Sequence, residues 1–222
     1  MIKACRACDE CRRGSAVSPR AVTHMRGFTR KARRIGVCVT ALVATLAGLA
    51  PLGFADRVDG RLEAAVQLKA LGYDRALKKR NARPKVTIGV IYKEGGDSEK
   101  VEKEMVAAFR DMSKQLKVQD MPIEAVAVLY KADSFASDLE SAGVNVIYMT
   151  PGMEGDLAKI HAAAVARKAP TLCSDRNVVK QGVAMGVFLN KTKAGIAVNV
   201  KVARELGMDL DSALFSVAEV FK

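Results

Sequence analysis

The sequence has few of the residues that most often carry catalysis or form disulfides. Its 222 residues include no Trp and two His, and aromatic side chains make up 5% of the chain. Four of the five cysteines lie in the first 38 residues: Cys5, Cys8, Cys11 and Cys38. If that segment is removed, Cys173 has no partner, which excludes a disulfide within one mature chain. The one histidine of the remainder, His161, lies in a predicted helix, where histidine more often packs or faces solvent than performs chemistry.

An excess of basic residues is confined to the beginning of the chain. The formal net charge is +12, a value that by itself would suggest a nucleic-acid partner. Residues 1–55 hold ten Lys and Arg against two acids, so residues 56–222 have a net charge of only +4. Those remaining charges alternate in sign, as on an ordinary solvated surface. We therefore expect no nucleic-acid partner.

The first 55 residues have the pattern of a cleaved export signal. A basic block ends at Arg33 and Arg34, and residues 35–49 form an uncharged, apolar run. Small residues follow it, and they predict cleavage between Ala55 and Asp56. The sequence thus predicts a signal peptide over residues 1–55 and a periplasmic domain over residues 56–222.

Three alternatives concern this leader. A permanent membrane anchor is disfavoured because the apolar run is shorter than the roughly 20 residues of a spanning helix. Arg33 and Arg34 also fit a twin-arginine signal. Met25 opens a more ordinary signal peptide than Met1 does, so we hypothesise that residues 1–24 are an over-long gene prediction.

The C-x-x-C-x-x-C spacing at Cys5 has no grouped fourth ligand, and we expect no metal and no cofactor.

The mature region alternates strand and helix patterns. Strands are predicted at 85–92, 123–129, 144–149 and 170–174, and helices at 61–81, 98–117, 133–142 and 156–168. Two further strands, 182–189 and 195–200, are joined by a loop short enough only for an antiparallel hairpin. Helices at 201–206 and 211–221 complete the chain, and Asn199 is predicted to cap the first of them. This order predicts a single three-layer α/β domain with a mostly parallel sheet and helices on both faces.

Polar and glycine-rich loops follow the predicted parallel strands. Ligands of such sheets bind beyond the carboxyl ends of the strands, near the point where the strand order reverses. We therefore predict a site for a small polar solute, with these residues as candidates: Lys93, Gly95, Gly96, Asp97, Ser98, Thr150, Ser174 and Asp175. The alternative is that these loops are only capped turns. The glycines lack the spacing of a phosphate-binding loop or a dinucleotide fingerprint.

Four segments resemble the YfiR family of small periplasmic regulatory proteins. They are residues 68–75 (LKALGYDR), 146–150 (VIYMT), 182–187 (GVAMGV) and 196–207 (IAVNVKVARELG). The resemblance implies a protein that binds the periplasmic sensor domain of an inner-membrane diguanylate cyclase and holds that enzyme inactive. It also implies redox-sensitive disulfides, from which this sequence departs because Cys173 has no partner.

Three classes of function remain after this step. A non-enzymatic regulator of a membrane signalling protein leads, and a solute-binding protein similar to one lobe of a periplasmic binding protein is the alternative. An enzyme comes last, because no Ser-centred nucleophile motif or metal-ligand cluster is present in the mature region. A homodimer that pairs through an exposed edge strand near Gly195 is a further expectation.

Overall fold

A computed structural model describes residues 57–81 and 83–222. The helices are α1 (Gly60–Leu71), α2 (Leu77–Arg80), α3 (Gly96–Ser113), α4 (Phe135–Ser141), α5 (Leu157–Arg167), α6 (Arg176–Gln181), α7 (Val200–Glu205) and α8 (Ser212–Phe215). The strands are β1 (Val86–Tyr92), β2 (Ile123–Leu129), β3 (Val146–Met149), β4 (Thr171–Cys173), β5 (Met185–Asn190), β6 (Lys193–Asn199) and β7 (Ala218–Phe221). The predicted leader and the Ala55–Asp56 cleavage point lie outside these residues.

The strands form one mostly parallel sheet in the order β2-β1-β3-β4-β5-β6-β7. Among the described strands only the β5–β6 pair is antiparallel, and it is the predicted hairpin. The α/β fold class is therefore confirmed. Strand order reverses at β1, which pairs in parallel with β2 on one side and β3 on the other. The fold thus places its topological switch point at the carboxyl ends of β1 and β3.

Close packing explains why β1 carries a glycine at its centre. Residues Val86–Ile91 of this strand are all buried, as expected for a strand covered on both faces. A Cβ at Gly89 would lie 2.7 and 2.8 Å from the two methyl groups of Val144. On another part of the core, the Phe109 and Tyr148 rings meet edge to face with centroids 5.7 Å apart. No helix of the described ranges has the length and apolar character needed to cross a membrane.

The chain's last segment differs from the predicted helix at 211–221. One helical turn, α8, is followed by β7, which pairs in parallel with residues Ile196–Asn199 of β6. Leu214 is fully buried, as the helical pattern predicted. However, the hydrogen bonds offered by the free edge of β6 favour a strand over residues that include Val220 and Phe221. Consequently β7 is the edge strand at this end of the sheet, and it covers residues Ile196–Asn199 of β6 but not Gly195.

One other helix prediction needs correction, and one helix was not predicted. The predicted helix 61–81 is divided into α1 and α2 by a turn, in which the Asp74 carboxylate accepts from the backbone N–H of Ala76. Helix α6 was not predicted at all, because six residues are too few for a periodic pattern. The Asp175 carboxylate caps it by accepting from the Asn177 N–H at 2.6 Å.

Candidate functional site

At the switch point, two buried hydroxyl groups connect β1, β3 and α3. Ser98 Oγ lies 2.7 Å from Thr150 Oγ1, and the Lys93 backbone N–H donates to Ser98 Oγ at 3.0 Å. The Thr150 hydroxyl donates to the Ile91 carbonyl at 2.8 Å, so the Ser98 hydroxyl must be the donor between the two side chains. Both hydroxyl protons are therefore already committed to joining these elements.

The remaining candidates of the Lys93–Ser98 loop have their own partners. Lys93 Nζ lies 2.7 Å from Asp156 Oδ2, and this hydrogen bond lowers the pKa of the Asp156 carboxyl. The Gly95 N–H donates to Glu99 at 3.0 Å, and Gly95, Gly96 and Asp97 are all exposed. Open space surrounds both glycines on the side where a Cβ would project. The loop is accordingly an exposed rim to one side of the switch point.

A cleft of about 480 Å³ lies next to this rim, at the carboxyl ends of β3, β4 and β5. Three of the eight predicted candidates line it: Thr150, Ser174 and Asp175. Lys93, Gly95, Gly96, Asp97 and Ser98 do not line it. Its volume lies within the roughly 300–1,000 Å³ of small-molecule pockets. The arrangement can accommodate a small solute beside hydroxyl, carboxylate and guanidinium groups.

Two arginines line the cleft: Arg57, which was not predicted, and Arg176, which belongs to the same predicted loop as Ser174 and Asp175. The Arg57 guanidinium lies 3.3 Å from Glu63 and 3.6 Å from Glu104, while its Nε is buried with no hydrogen-bond partner among the described residues. Arg176 lies 5.6 Å from the centre of the Phe188 ring and pairs with Glu219 at 3.5 Å. The cleft therefore offers cationic groups and one aromatic face as well as hydroxyls.

Beneath Arg57 lies a buried carboxylate, Glu63 of α1. Its Oε1 accepts from the Tyr148 hydroxyl at 2.7 Å and from the Gln67 amide at 3.0 Å. Burial raises the pKa of Glu63 to about 7, although the bonds from Tyr148 and Arg57 oppose that shift. The Gln67 amide also donates to the Cys173 carbonyl at 3.1 Å, which connects this polar network to β4. The network thus joins α1 to the inner end of the cleft.

The Cys173 side chain also lines the cleft, but it is 2% exposed. Burial raises the pKa of its thiol, and Sγ lies 3.2 Å from the Asp175 carbonyl, to which it donates. A thiol in this environment behaves as a small apolar core residue. Elsewhere, the Asn199 side chain accepts from the Val202 N–H at 3.1 Å, at the beginning of α7.

The sequence held weak signals for the residues that were missed. Glu63 and Gln67 are spaced i, i+4 and lie on the same side of α1 as the apolar Leu68 and Leu71, all four being buried. Tyr148 places a hydroxyl inside an otherwise apolar strand, where a buried polar partner is required. Arg57 precedes the first helix and gave no signal of its own.

An open, mostly parallel α/β sheet with a polar cleft at the carboxyl ends of its strands is the class of protein that this fold and site define. Within that class, residues 61–219 match the YfiR/HmsC-like family, and the chain belongs to that family. The resemblance seen in the sequence is thereby confirmed. No curated protein matches the chain.

Solved structures similar to the chain come from several bacteria. One is an ABC domain in complex with L-Trp from Streptococcus pneumoniae, with 15% identity, TM-score 0.49 and 74% of this chain covered. Another is a ligand-free, open substrate binding protein with adhesive properties from Clostridium difficile, with 17% identity, TM-score 0.48 and 66% covered. A third is a conserved domain protein from Vibrio cholerae, with 14% identity, TM-score 0.47 and 67% covered. The chain spans 62%, 57% and 60% of their respective lengths.

Proposed function

We propose that this protein is an exported, non-enzymatic regulator that binds the periplasmic sensor domain of an inner-membrane signalling protein. The observation that carries the proposal is the YfiR/HmsC-like match over residues 61–219, which extends through nearly all of the described domain. The family resemblance favours a diguanylate cyclase as the partner, held inactive by the bound domain. The basic, apolar leader predicted over residues 1–55 supports delivery to that compartment.

The side chains with catalytic potential support a binding role. Cys173 is buried, with its thiol pKa raised by desolvation. His161 Nε2 lies 3.1 Å from Glu205, beside α7 and away from the cleft that Cys173 lines. Since these two groups are separated, they do not form the nucleophile and base of a hydrolytic site.

The regulator proposal predicts a change in cyclic di-GMP when the gene is removed from its native cell. Deletion is expected to raise cyclic di-GMP, and expression of the full chain from a plasmid is expected to restore the original amount. A version without residues 1–55 stays in the cytoplasm and is expected to restore nothing. The measurement is nucleotide quantification by mass spectrometry, together with identification of the membrane proteins that co-purify with the exported protein.

Two results would contradict this proposal. One is an unchanged cyclic di-GMP content after deletion together with no co-purified protein that carries a cyclase domain. The other is full restoration by the version that stays in the cytoplasm, since a partner domain outside the cytoplasm would then be unreachable.

Binding of a small polar solute is a second candidate function, favoured by the cleft that Arg57, Thr150, Ser174 and Arg176 line. A thermal-shift screen with amino acids, small carboxylates and sugars tests it. A solute present at about 100 times its Kd should raise Tm by about 5–10 °C for a domain of this size. Arg176→Gln is expected to weaken that solute's binding by about tenfold, the loss typical of one charged hydrogen bond.

The matched control is Lys131→Gln, an exposed lysine that does not line the cleft. It should leave the thermal shift unchanged. If no solute moves Tm, or if both variants weaken binding equally, solute binding in this cleft is discarded. The co-purification and the thermal shift are independent measurements, so either candidate can fail alone.

A further inference from the structure

A second pocket lies at the opposite, amino-terminal edge of the sheet. It encloses about 250 Å³ between the segment before β1, the α4–β3 connection and the end of α5. That volume is below the roughly 300 Å³ at which drug-sized pockets begin, so it suits a small group better than an extended solute.

Cations dominate the lining of this pocket. Four of its side chains are basic: Arg80, Arg83, Arg167 and Lys168. One acid, Glu140, lines it and is exposed. Arg80 is neutralised by Asp74 at 2.5 Å. The other three basic residues form no ion pair within the part of the chain that the structure describes.

Two of these cations lie beside the backbone of the loop before β3. Arg167 Nη2 donates to the Val144 carbonyl at 3.1 Å. The Arg83 guanidinium lies against the adjacent Gly143, whose φ is +64° and where any Cβ would collide with Arg83 Nη1. The two guanidinium groups therefore lie beside consecutive residues of one loop, and Arg167 is hydrogen-bonded to it. Because Gly143 has no Cβ, the Arg83 guanidinium can occupy the space beside it. A side chain at position 143 would displace that guanidinium.

The third of these cations is Lys168, which lies near Gly207. A Cβ built on Gly207 would lie 3.7 Å from Lys168 Cδ and 3.6 Å from Arg80 Cδ, so both side chains pass close to Gly207. In addition, Arg167 Nε is buried and has no acceptor among the described residues. Arg83 and Lys168 are exposed and Arg167 is half-buried, so water screens part of the repulsion between the three like charges, and an anion bound between them would remove the rest.

We propose that this pocket binds a phosphate-type oxyanion, supplied either as a soluble phosphate or as the headgroup of an anionic phospholipid. Guanidinium groups match the geometry of phosphate oxygens by donating two hydrogen bonds at once, and a lysine adds a compact point charge. The site is separate from the cleft, since the two lie at opposite ends of the parallel strands. The site would give the protein an anion-binding function in addition to the regulatory role proposed above.

Binding of inorganic phosphate to the protein purified from cells expressing the full chain tests the proposal. Titration calorimetry in chloride buffer of constant ionic strength is expected to show saturable binding. Arg83→Gln and Lys168→Gln are each expected to raise the Kd by about tenfold, because each removes one charged donor. Lys131→Gln, an exposed lysine beyond the carboxyl end of β2, should leave the Kd unchanged.

A second arm distinguishes the two sources of phosphate. Co-sedimentation with phosphatidylcholine vesicles is compared with sedimentation with vesicles that also contain phosphatidylglycerol. Retention that needs phosphatidylglycerol and is lost in Arg83→Gln and Lys168→Gln supports a headgroup site, even where free phosphate binds weakly. Unchanged unfolding midpoints of both variants without phosphate show that the fold is retained. Absence of binding in both arms, or binding that these variants do not alter, overturns the proposal.

Discussion

Replacing Asp74 with alanine is expected to lower the free energy of unfolding by about 3–5 kcal/mol, the usual cost of leaving one partner of a buried ion pair uncompensated. Asp74 is fully buried, and its carboxylate receives both a salt bridge from Arg80 and the backbone N–H groups of Ala76 and Asp209. Its loss leaves the Arg80 side chain, which is 11% exposed, without its counter-charge.

The neighbouring pair Arg75–Asp211 provides the matched control for this prediction. It spans the same junction between the α1–α2 turn and the segment before α8, but the Arg75 side chain is 62% exposed. Exposed ion pairs contribute little because water screens both charges. Urea unfolding followed by circular dichroism should therefore separate Asp74→Ala strongly from Arg75→Gln. Equal losses in the two variants would contradict the importance of the buried pair.

The strands of the sheet could be predicted well because their signal is local. Residues 123–129 were predicted as a strand and form β2 with the same bounds, and residues 85–92 contain β1. β-branched and apolar residues between turn signals suffice for strands that are buried on both faces. The segment 218–221 could not be assigned in the same way. Its state depends on hydrogen bonds to β6, which lies about twenty residues earlier in the chain.

The candidate site could be predicted only in part, for a related reason. Thr150, Ser174 and Asp175 were found because polar residues that directly follow parallel strands meet at one edge of the sheet. Arg57 was missed because the position of α1 decides which distant side chains reach that edge. A charged residue on a helix, such as Glu63, is normally solvated, and its place on the same side of α1 as Leu68 and Leu71 is only a weak local sign of its burial.

The buried carboxyl group of Glu63 predicts an unusual dependence of stability on pH. Desolvation raises its pKa in the folded protein to about 7 from an ordinary value of 4.5, with Glu104 adding to the shift. Between these two pH values the folded state binds more protons than the unfolded state, so the free energy of unfolding falls as pH rises. At about 1.4 kcal/mol for each pH unit, Glu63 alone should cost about 3 kcal/mol across this window. Carboxyls whose pKa is lowered, such as that of Asp156, act in the opposite direction.

The contribution of Glu63 is isolated by subtracting the unfolding free energies of Glu63→Gln from those of the natural protein at pH values from 4 to 8. That difference should be constant below about pH 4.5, fall by about 3 kcal/mol, and become constant again above about pH 7. Tyr148→Phe removes a hydroxyl that donates to Glu63 at 2.7 Å and favours its charged form, so the pKa of Glu63 should rise and the window should extend to higher pH. A difference independent of pH would mean that the pKa of Glu63 is the same in the folded and unfolded protein, so that the hydrogen bonds from Tyr148, Gln67 and Arg57 balance its desolvation.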